Sequence, residues 1–131
     1  MKQIFYILVF LAHSCFSYAD DIQKKQIDDL FEKLKTASNY EVSKIIESKI
    51  WELWTTHPSE NSLTALLADG SFYMSQNKLE TAYETFTKTI ELDSSWAEAW
   101  NKRATVLYLM GKYESSQNDI NKVLEIEARH F

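Results

Sequence analysis

The side chains that most often carry catalysis are few and widely spaced in this sequence. Its three histidines are His13, His57 and His130, and its one cysteine is Cys15. No two of these residues have the short helical spacing of a metal-binding pair. Gly70-Ser71 lacks the flanking glycine pattern of a nucleophile elbow. The residues therefore predict no catalytic triad, no metal site and no cofactor site, and we expect a protein that is not an enzyme.

Acidic side chains outnumber basic ones, which bears on the class of partner. The chain has 19 Asp and Glu against 14 Lys and Arg, a formal net charge of −5. Nucleic-acid binding depends on clustered Lys and Arg side chains that contact phosphates. The charge balance therefore disfavours nucleic acid as a partner. The pairs Asp20-Asp21 and Asp28-Asp29 are interpreted as solvated charges near helix starts, where they complement the helix dipole.

Tryptophan side chains can form a ligand cage or the centre of an interface. Trp54 lies on the apolar stripe of its predicted helix, so we expect it in the core. Trp51 lies off that stripe, and Trp96 lies at a corner between two predicted helices. Trp51 and Trp96 are therefore the better candidates for an interface.

The first 19 residues have the form of a secretory signal peptide. Lys2 precedes an uninterrupted apolar run over residues 4–12, and Ser17 and Ala19 are the small residues of a cleavage site. The apolar run is far shorter than the ~20 residues that a membrane-spanning helix needs. We expect residues 1–19 to be removed and the chain to be exported to the periplasm without stable membrane insertion. A leader that is retained would instead anchor the chain to the membrane.

The composition favours helices joined by short loops. Two Gly and one Pro occur among 131 residues, and 45% of the residues are hydrophobic. A fold of many strands needs turn residues every 8–12 positions, which this chain does not supply. We therefore predict an all-α protein.

A 34-residue period is the strongest pattern in the sequence. Residues 63–96 align without a gap on residues 97–130, and large and small side chains recur at the same offsets. Gly70 of the first unit falls on Ala104 of the second, where two helices must approach closely. Each unit is therefore predicted to be a pair of helices, of which we name the first the A helix and the second the B helix.

Local signals predict where these helices begin and end. Asn77 and Gly111 hold equivalent positions after the two A helices, where a residue in the left-handed conformation can end a helix. The Ser-x-x-Glu patterns at 95–98 and 38–41 are typical of capping boxes that start helices.

A further pair of helices is predicted upstream, over residues 21–37 and 40–54. Each carries an apolar stripe at helical spacing, but the small residues of the 34-residue pattern have no clean counterparts there. We interpret residues 20–62 as a degenerate, capping pair. The loop around His57-Pro58 is the predicted hinge between this pair and the first unit.

The period and its residues resemble the tetratricopeptide repeat family, whose units carry W-x2-L-G-x2-Y, then A-x3-F, then P. Asp69 and Arg103 depart from this pattern, because they replace the signature Leu. The resemblance implies an all-α, right-handed solenoid of helical hairpins, with about six helices after the signal peptide. The signature and core positions are Leu66, Gly70, Tyr73, Ala82, Phe86, Trp100, Ala104, Leu107, Gly111, Tyr113 and Ile120.

The resemblance also implies a function in protein–protein interaction. In this family the A helices line a concave face through positions 2, 5, 9 and 12 of each unit. We therefore expect an exported, non-enzymatic adaptor or scaffold that binds a protein or peptide on that face. The basic-plus-Asn pattern with which one subclass binds a C-terminal carboxylate is not present. The predicted partner-binding residues are Thr64, Leu67, Ser71, Met74, Glu98, Asn101, Thr105 and Tyr108.

The alternative function is that of a structural, self-associating protein. Solenoids normally end in a helix with a polar outer face, whereas Ile120 and Val123 predict an apolar edge at the end of the second unit. Two copies of the chain could pair there, a partner could cover the edge, or the reading frame could continue in a longer protein. Part of the concave face could also pack against the N-terminal helical pair.

Overall fold

The computed structural model describes the backbone from Lys2 to Phe131 and the side chains from Tyr18 onward. This part of the chain is all-α, as the composition and the repeat pattern predicted. Within it no helix is both long enough and apolar enough to cross a bilayer. The helices are α1 (Lys2–Lys35), α2 (Tyr40–Thr55), α3 (Asn61–Ser75), α4 (Leu79–Leu92), α5 (Ala97–Leu109) and α6 (Tyr113–Ile126).

Helix α1 begins far upstream of the predicted start at residue 21 and runs through the predicted cleavage site after Ala19. Residues 2–35 contain no Gly or Pro, so neither residue type interrupts the helical hydrogen bonding of α1. The side chains of residues 1–17, on which the signal-peptide prediction depends, lie outside the described part. That prediction therefore stays a prediction.

The chain divides between Ser59 and Glu60 into two compact units. In the N-terminal unit α1 packs against α2, and the core contains Ile27, Ile46, Ile50 and Trp54. The Gln23 side chain on α1 donates a hydrogen bond to the carbonyl of Thr56 at 2.7 Å, which ties the end of α2 back to α1. Trp54 is buried, as its position on the apolar stripe predicted.

The C-terminal unit contains the two hairpins that the 34-residue period predicted. Helix α3 pairs with α4, α5 pairs with α6, and α5 packs against both α4 and α3. Its core is one continuous cluster, so the two hairpins share their apolar interior. The buried members of this cluster are Leu63, Leu67, Ala82, Phe86, Ile90, Trp96, Ala99 and Val106.

Helices α3 and α4 approach each other closely because Gly70 has no side chain. A Cβ atom at position 70 would lie 2.5 Å from Cε1 of Phe86, well inside van der Waals contact. The Phe86 ring therefore packs directly on the backbone of α3, and it is fully buried there. This contact is the physical reason for the small residue in the repeat pattern.

Both A helices end as the sequence predicted, with a residue in the left-handed region. Asn77 has φ of 57° and Gly111 has φ of 75°. After each of them the next backbone N–H turns back to a carbonyl five residues earlier, Lys78 to Tyr73 and Lys112 to Leu107, each at 2.9 Å. This arrangement is a Schellman motif, which satisfies carbonyls that the last helical turn leaves open.

The two predicted capping boxes are wrong. Helix α2 is capped one residue later, by Asn39, whose Oδ1 accepts the backbone N–H of Val42 at 3.0 Å. Before α5, the hydroxyl and backbone N–H of Ser95 both donate to Asp93 Oδ1, at 2.6 and 2.8 Å. Asp93 therefore holds Ser95 in a turn outside the helix, and the N-cap position falls on Trp96, which makes no side-chain cap.

Candidate functional site

The predicted partner-binding residues differ sharply in accessibility. Thr105 and Tyr108 on α5 are open to solvent, and 62% of Tyr108 is exposed. Leu67 and Glu98 are buried, so neither offers its side chain as a surface contact. Within the predicted face, the fully exposed side chains therefore lie in the C-terminal half of α5. The half-buried members are Thr64, Ser71, Met74 and Asn101.

Thr105 and Tyr108 border an open groove of about 520 Å³ between α5 and α6, which we call the α5–α6 groove. Its other wall is formed by Tyr113, Gln117 and Ile120 of α6. The rings of Tyr108 and Tyr113 lie 5.3 Å apart between centroids and are tilted by 59°. The two tyrosines form an aromatic rim, a kind of surface that binds apolar ligand groups while its hydroxyls stay in water.

Tyr113 was predicted as a signature and core position, but it is 64% exposed. It occupies the first residue of α6, on the side of the hairpin that no further described helix covers. A position that would be covered in the middle of a repeat array is therefore a surface position here.

The floor of the groove is closed by a buried hydrogen bond. Ser116 on α6 donates its hydroxyl to the carbonyl of Ala104 on α5 at 2.8 Å. This contact explains how the second unit accepts Ser116 at the position that Ala82 holds in the first unit. Burying a hydroxyl costs little free energy when it has a hydrogen-bond partner, and here the hydrogen bond joins the two helices directly.

Arg103, one of the departures from the family pattern, is held by Asp119 on α6. Its Nε and Nη2 donate to the two carboxylate oxygens of Asp119 at 2.7 and 2.9 Å, and its Nη1 donates to Thr87 Oγ1 at 3.3 Å. The hydrogen bond with Asp119 raises the pKa of Arg103 above its ordinary value, against the opposing effect of burial.

The guanidinium of Arg103 also lies over two aromatic rings. Its Cζ is 4.9 Å from the Trp100 ring centroid and 5.7 Å from that of Tyr83. Arg103 therefore joins α4, α5 and α6 by polar and cation–π contacts, where the family uses an apolar Leu. This pairing was not predicted from the sequence. The only sequence signal for this pair was Asp119, an acidic residue on the buried face of α6.

Glu98 is the centre of a second buried polar cluster. Its Oε2 lies 2.9 Å from Nε2 of His130 and accepts a hydrogen bond from the Asn101 side chain at 3.1 Å. Lys102 Nζ lies 3.2 Å from the other oxygen. Burial by itself would raise the pKa of Glu98, but the His130 hydrogen bond and the charge of Lys102 outweigh it, and the pKa is lowered. Glu98 thus ties α5 to the C-terminal residues of the chain.

Two of the tryptophan assignments change. Trp96 is buried in the core of the C-terminal unit, so its prediction as an interface candidate is wrong. Because Trp96 precedes α5 at the point where the two hairpins meet, it lies in the core that they share. Trp100 is only half-buried, and its indole N–H donates to the carbonyl of Ser94 at 3.0 Å. Trp51 is half-buried and meets Trp54 edge to face.

The residues considered for catalysis do not converge in the part of the chain whose side chains are described. No group of three or more His, Cys, Asp or Glu side chains there could hold a metal ion. His57 is buried, and its Nδ1 accepts the backbone N–H of Ser59 at 3.3 Å. His130 pairs with Glu98 as described above.

Comparison with known proteins agrees with this architecture. Residues 97–130 match a family model described as a tetratricopeptide repeat. The chain is also 31% identical, over 113 residues, to a TPR repeat-containing protein of Rhizobium etli. That alignment covers 86% of this chain and 55% of the Rhizobium protein, so the chain spans about half the length of the relative it matches. Repeats of this type generally mediate protein–protein interaction. The helical hairpins, the matched repeat and the relative together show that the chain belongs to the tetratricopeptide repeat family.

Proposed function

We propose that this chain is a non-enzymatic protein-binding module that receives a peptide or protein segment on the accessible surface of α5. The observation that carries the proposal is the α5–α6 groove, with Tyr108 and Thr105 exposed on one wall and Tyr113 on the other. These side chains lie on two helices that pack against each other, and exposed tyrosines supply large contact areas at a small cost in conformational entropy.

The chemistry of the groove indicates the kind of segment that fits it. Every residue that lines it is uncharged, and the polar groups are hydroxyls and one amide. Such a groove favours an apolar anchor with a few hydrogen-bonding groups beside it over a strongly charged sequence. The proposed ligand is therefore an uncharged segment with at least one aliphatic or aromatic anchor, bound against Tyr108.

The proposal includes export, which rests on the sequence pattern of residues 1–19 alone. If those residues are a signal peptide, the chain recovered from a periplasmic extract begins at Asp20. N-terminal sequencing of the chain from that extract tests this directly. A chain that is found only in the membrane fraction and retains Met1 would show an uncleaved anchor instead.

A peptide library displayed on phage tests the binding proposal while the natural partner is unidentified. Peptides selected on the purified chain are measured by fluorescence anisotropy against the chain and against Tyr108→Asp. We expect the substitution to weaken binding about thirtyfold, which is the ~2 kcal/mol that defines a hot-spot residue.

The matched control is Tyr40→Asp, which changes an exposed tyrosine of α2 in the N-terminal unit. This control should leave the affinity of the same peptides unchanged. Equal binding to the chain and to a folded Tyr108→Asp variant would show that the groove is not the binding surface.

A further inference from the structure

One face of α3 is exposed along the whole length of the helix. Five residues at alternating spacings of three and four lie on this face, and each of them is exposed to solvent. Phe72 stands near its centre with 60% of its surface exposed. An exposed aromatic residue in such a stripe is typical of a contact surface. We call this surface the α3 outer face, and it consists of Ser62, Ala65, Asp69, Phe72 and Gln76.

The same face is buried on α5, 34 residues later. Its members there are covered or half-covered, because this is the side on which α5 packs into the hairpin of α3 and α4. Val106 holds the position of Phe72 and is fully buried in the shared core. The equivalent residues of α5 are Trp96, Ala99, Arg103, Val106 and Met110.

The surface of α3 and α4 on which α5 packs also has an exposed counterpart in the second hairpin. Met74, Leu79, Tyr83 and Phe86 pack in the shared core around α5. The residues 34 positions later belong to the α5–α6 groove, and no described helix fills it. The C-terminal unit therefore carries both halves of its own internal interface a second time, each without a covering helix within that unit. The groove residues at these equivalent positions are Tyr108, Tyr113, Gln117 and Ile120.

We propose that the α3 outer face of one copy of this chain docks in the α5–α6 groove of another, as α5 docks on α3 and α4 within one copy. Such an interface joins two different surfaces, so it is heterologous and can continue from copy to copy. The proposal goes beyond binding of a foreign segment, because it assigns a role to α3 and names a second copy as the occupant.

The sizes of the apolar side chains at the two surfaces are complementary. Within one copy, Val106 and Phe86 share the core. In the proposed contact Phe72 takes the position of Val106, and Ile120 takes that of Phe86. The larger residue on the docking helix thus meets a smaller residue in the groove, which keeps the combined volume of the pair within about one methylene group of that of Val106 and Phe86.

The polar contact at the centre of the interface is complementary as well. Within one copy, Arg103 lies over the Tyr83 ring and donates to Thr87. In the proposed contact Asp69 of the docking copy takes the place of Arg103. The residues that take the places of Tyr83 and Thr87 in the receiving copy are Gln117 and Asn121. Both of these residues carry amide N–H groups, which a carboxylate can accept.

Sedimentation equilibrium over a wide concentration range tests the interface. We expect the average mass of the purified chain to rise with concentration, and either Phe72→Glu or Tyr113→Asp to weaken the association by about tenfold or more. Both substitutions are at exposed positions outside the predicted concave-face residues, so each variant should keep its helical circular dichroism. Tyr40→Asp on α2 is the matched control and should associate like the unchanged chain.

Mixing the two variants distinguishes this interface from a symmetric dimer. The Phe72→Glu copy keeps an intact groove and the Tyr113→Asp copy keeps an intact α3 outer face, so the mixture should form a dimer of one copy of each and nothing larger. A concentration-independent monomer, or a mixture of folded variants that fails to pair, would overturn the proposal. Association that neither substitution weakens would overturn it too, while leaving peptide binding at Tyr108 untouched.

Cysteine cross-linking tests the register and does not depend on the affinity. In a Cys15→Ser background, Asp69→Cys and Gln117→Cys copies should form a disulfide-linked dimer when they are mixed and oxidised. Ser115→Cys is the matched control, because it is an exposed position on the opposite side of α6. Equal cross-linking of Asp69→Cys to positions 115 and 117 would show that α3 does not dock in this groove.

Discussion

The two grooves of the C-terminal unit are built from equivalent residues, yet one is filled and the other is open. Ile90, beside the groove that α5 fills, is 6% exposed, whereas its equivalent Leu124 is 45% exposed. Phe86 is fully covered, whereas its equivalent Ile120 is only half-buried. In a repeat protein each unit buries its apolar residues against its neighbours. Burial at a repeat position is therefore decided by the next helix and not by the repeat itself.

The two grooves also differ in polarity. Where the filled groove has Ala82 and Tyr83, the open groove has Ser116 and Gln117. The hydroxyl of Ser116 is satisfied by α5, and Gln117 is exposed. A groove in contact with water can carry polar groups that a dry interior would penalise. The open groove is thus suited to a contact that forms and separates, and the filled groove is suited to a permanent one.

The largest expected effect comes from truncating the equivalent core residues. Phe86→Ala should lower the free energy of unfolding by about 3–5 kcal/mol, because it empties a fully enclosed site beneath Gly70. Ile120→Ala should cost clearly less, about 1–2 kcal/mol, because one side of Ile120 already faces the open groove. Urea unfolding followed by circular dichroism measures both. Equal losses would show that the two grooves are equally covered in solution.

The next effect concerns the seventh position of each unit, where Arg103 and Asp69 are equivalent. Arg103→Leu should cost about 3 kcal/mol, since it leaves the buried carboxylate of Asp119 without its cation. Asp69→Leu, on the exposed α3 outer face, should change stability by less than about 0.5 kcal/mol.

The double variant Arg103→Leu with Asp119→Leu sharpens this test. It should recover most of the stability lost in Arg103→Leu, because no unpaired charge is left inside the unit. Urea denaturation of the four chains, compared as a double-mutant cycle, measures the coupling. A coupling near zero would show that Arg103 and Asp119 act independently.

The smallest expected effect is a change in pH dependence at Glu98. Because the pKa of Glu98 is lowered in the folded chain, the unfolded chain binds the proton first as the pH falls. Its stabilising contribution is therefore present above the ordinary value of 4.5 and is lost as the pH drops through the lowered folded value. Thermal unfolding between neutral pH and the acid range should show a shallower acid loss for Glu98→Gln. Glu114→Gln, at an exposed position on α6, should keep the original slope.

Much of the fold was predictable, because it depends on local or periodic signals. The 34-residue period predicted the two hairpins. Asn77 and Gly111 marked the ends of both A helices because few residue types other than Gly and Asn adopt the left-handed conformation readily. The capping box at 95–98 failed because a nearby acceptor, Asp93, competed for Ser95, and the one at 38–41 failed because the neighbouring Asn39 caps α2 instead. The accessible part of the candidate site was less predictable, since its residues were assigned by repeat position while their burial depends on neighbours.

The sequence by itself determined that this chain is helical, that it repeats every 34 residues, and where its turns fall, because these properties follow from backbone preferences and side-chain spacing. Only the tertiary structure decided which repeat positions are covered. It brought Arg103 to Asp119 and Glu98 to His130, pairs that are 16 and 32 residues apart in the chain. It also left Tyr108 and Phe72 on the surface while burying Trp96 and Val106. The physical reason is that a side chain is buried by the contact between two elements, and a repeat unit specifies only one of those elements.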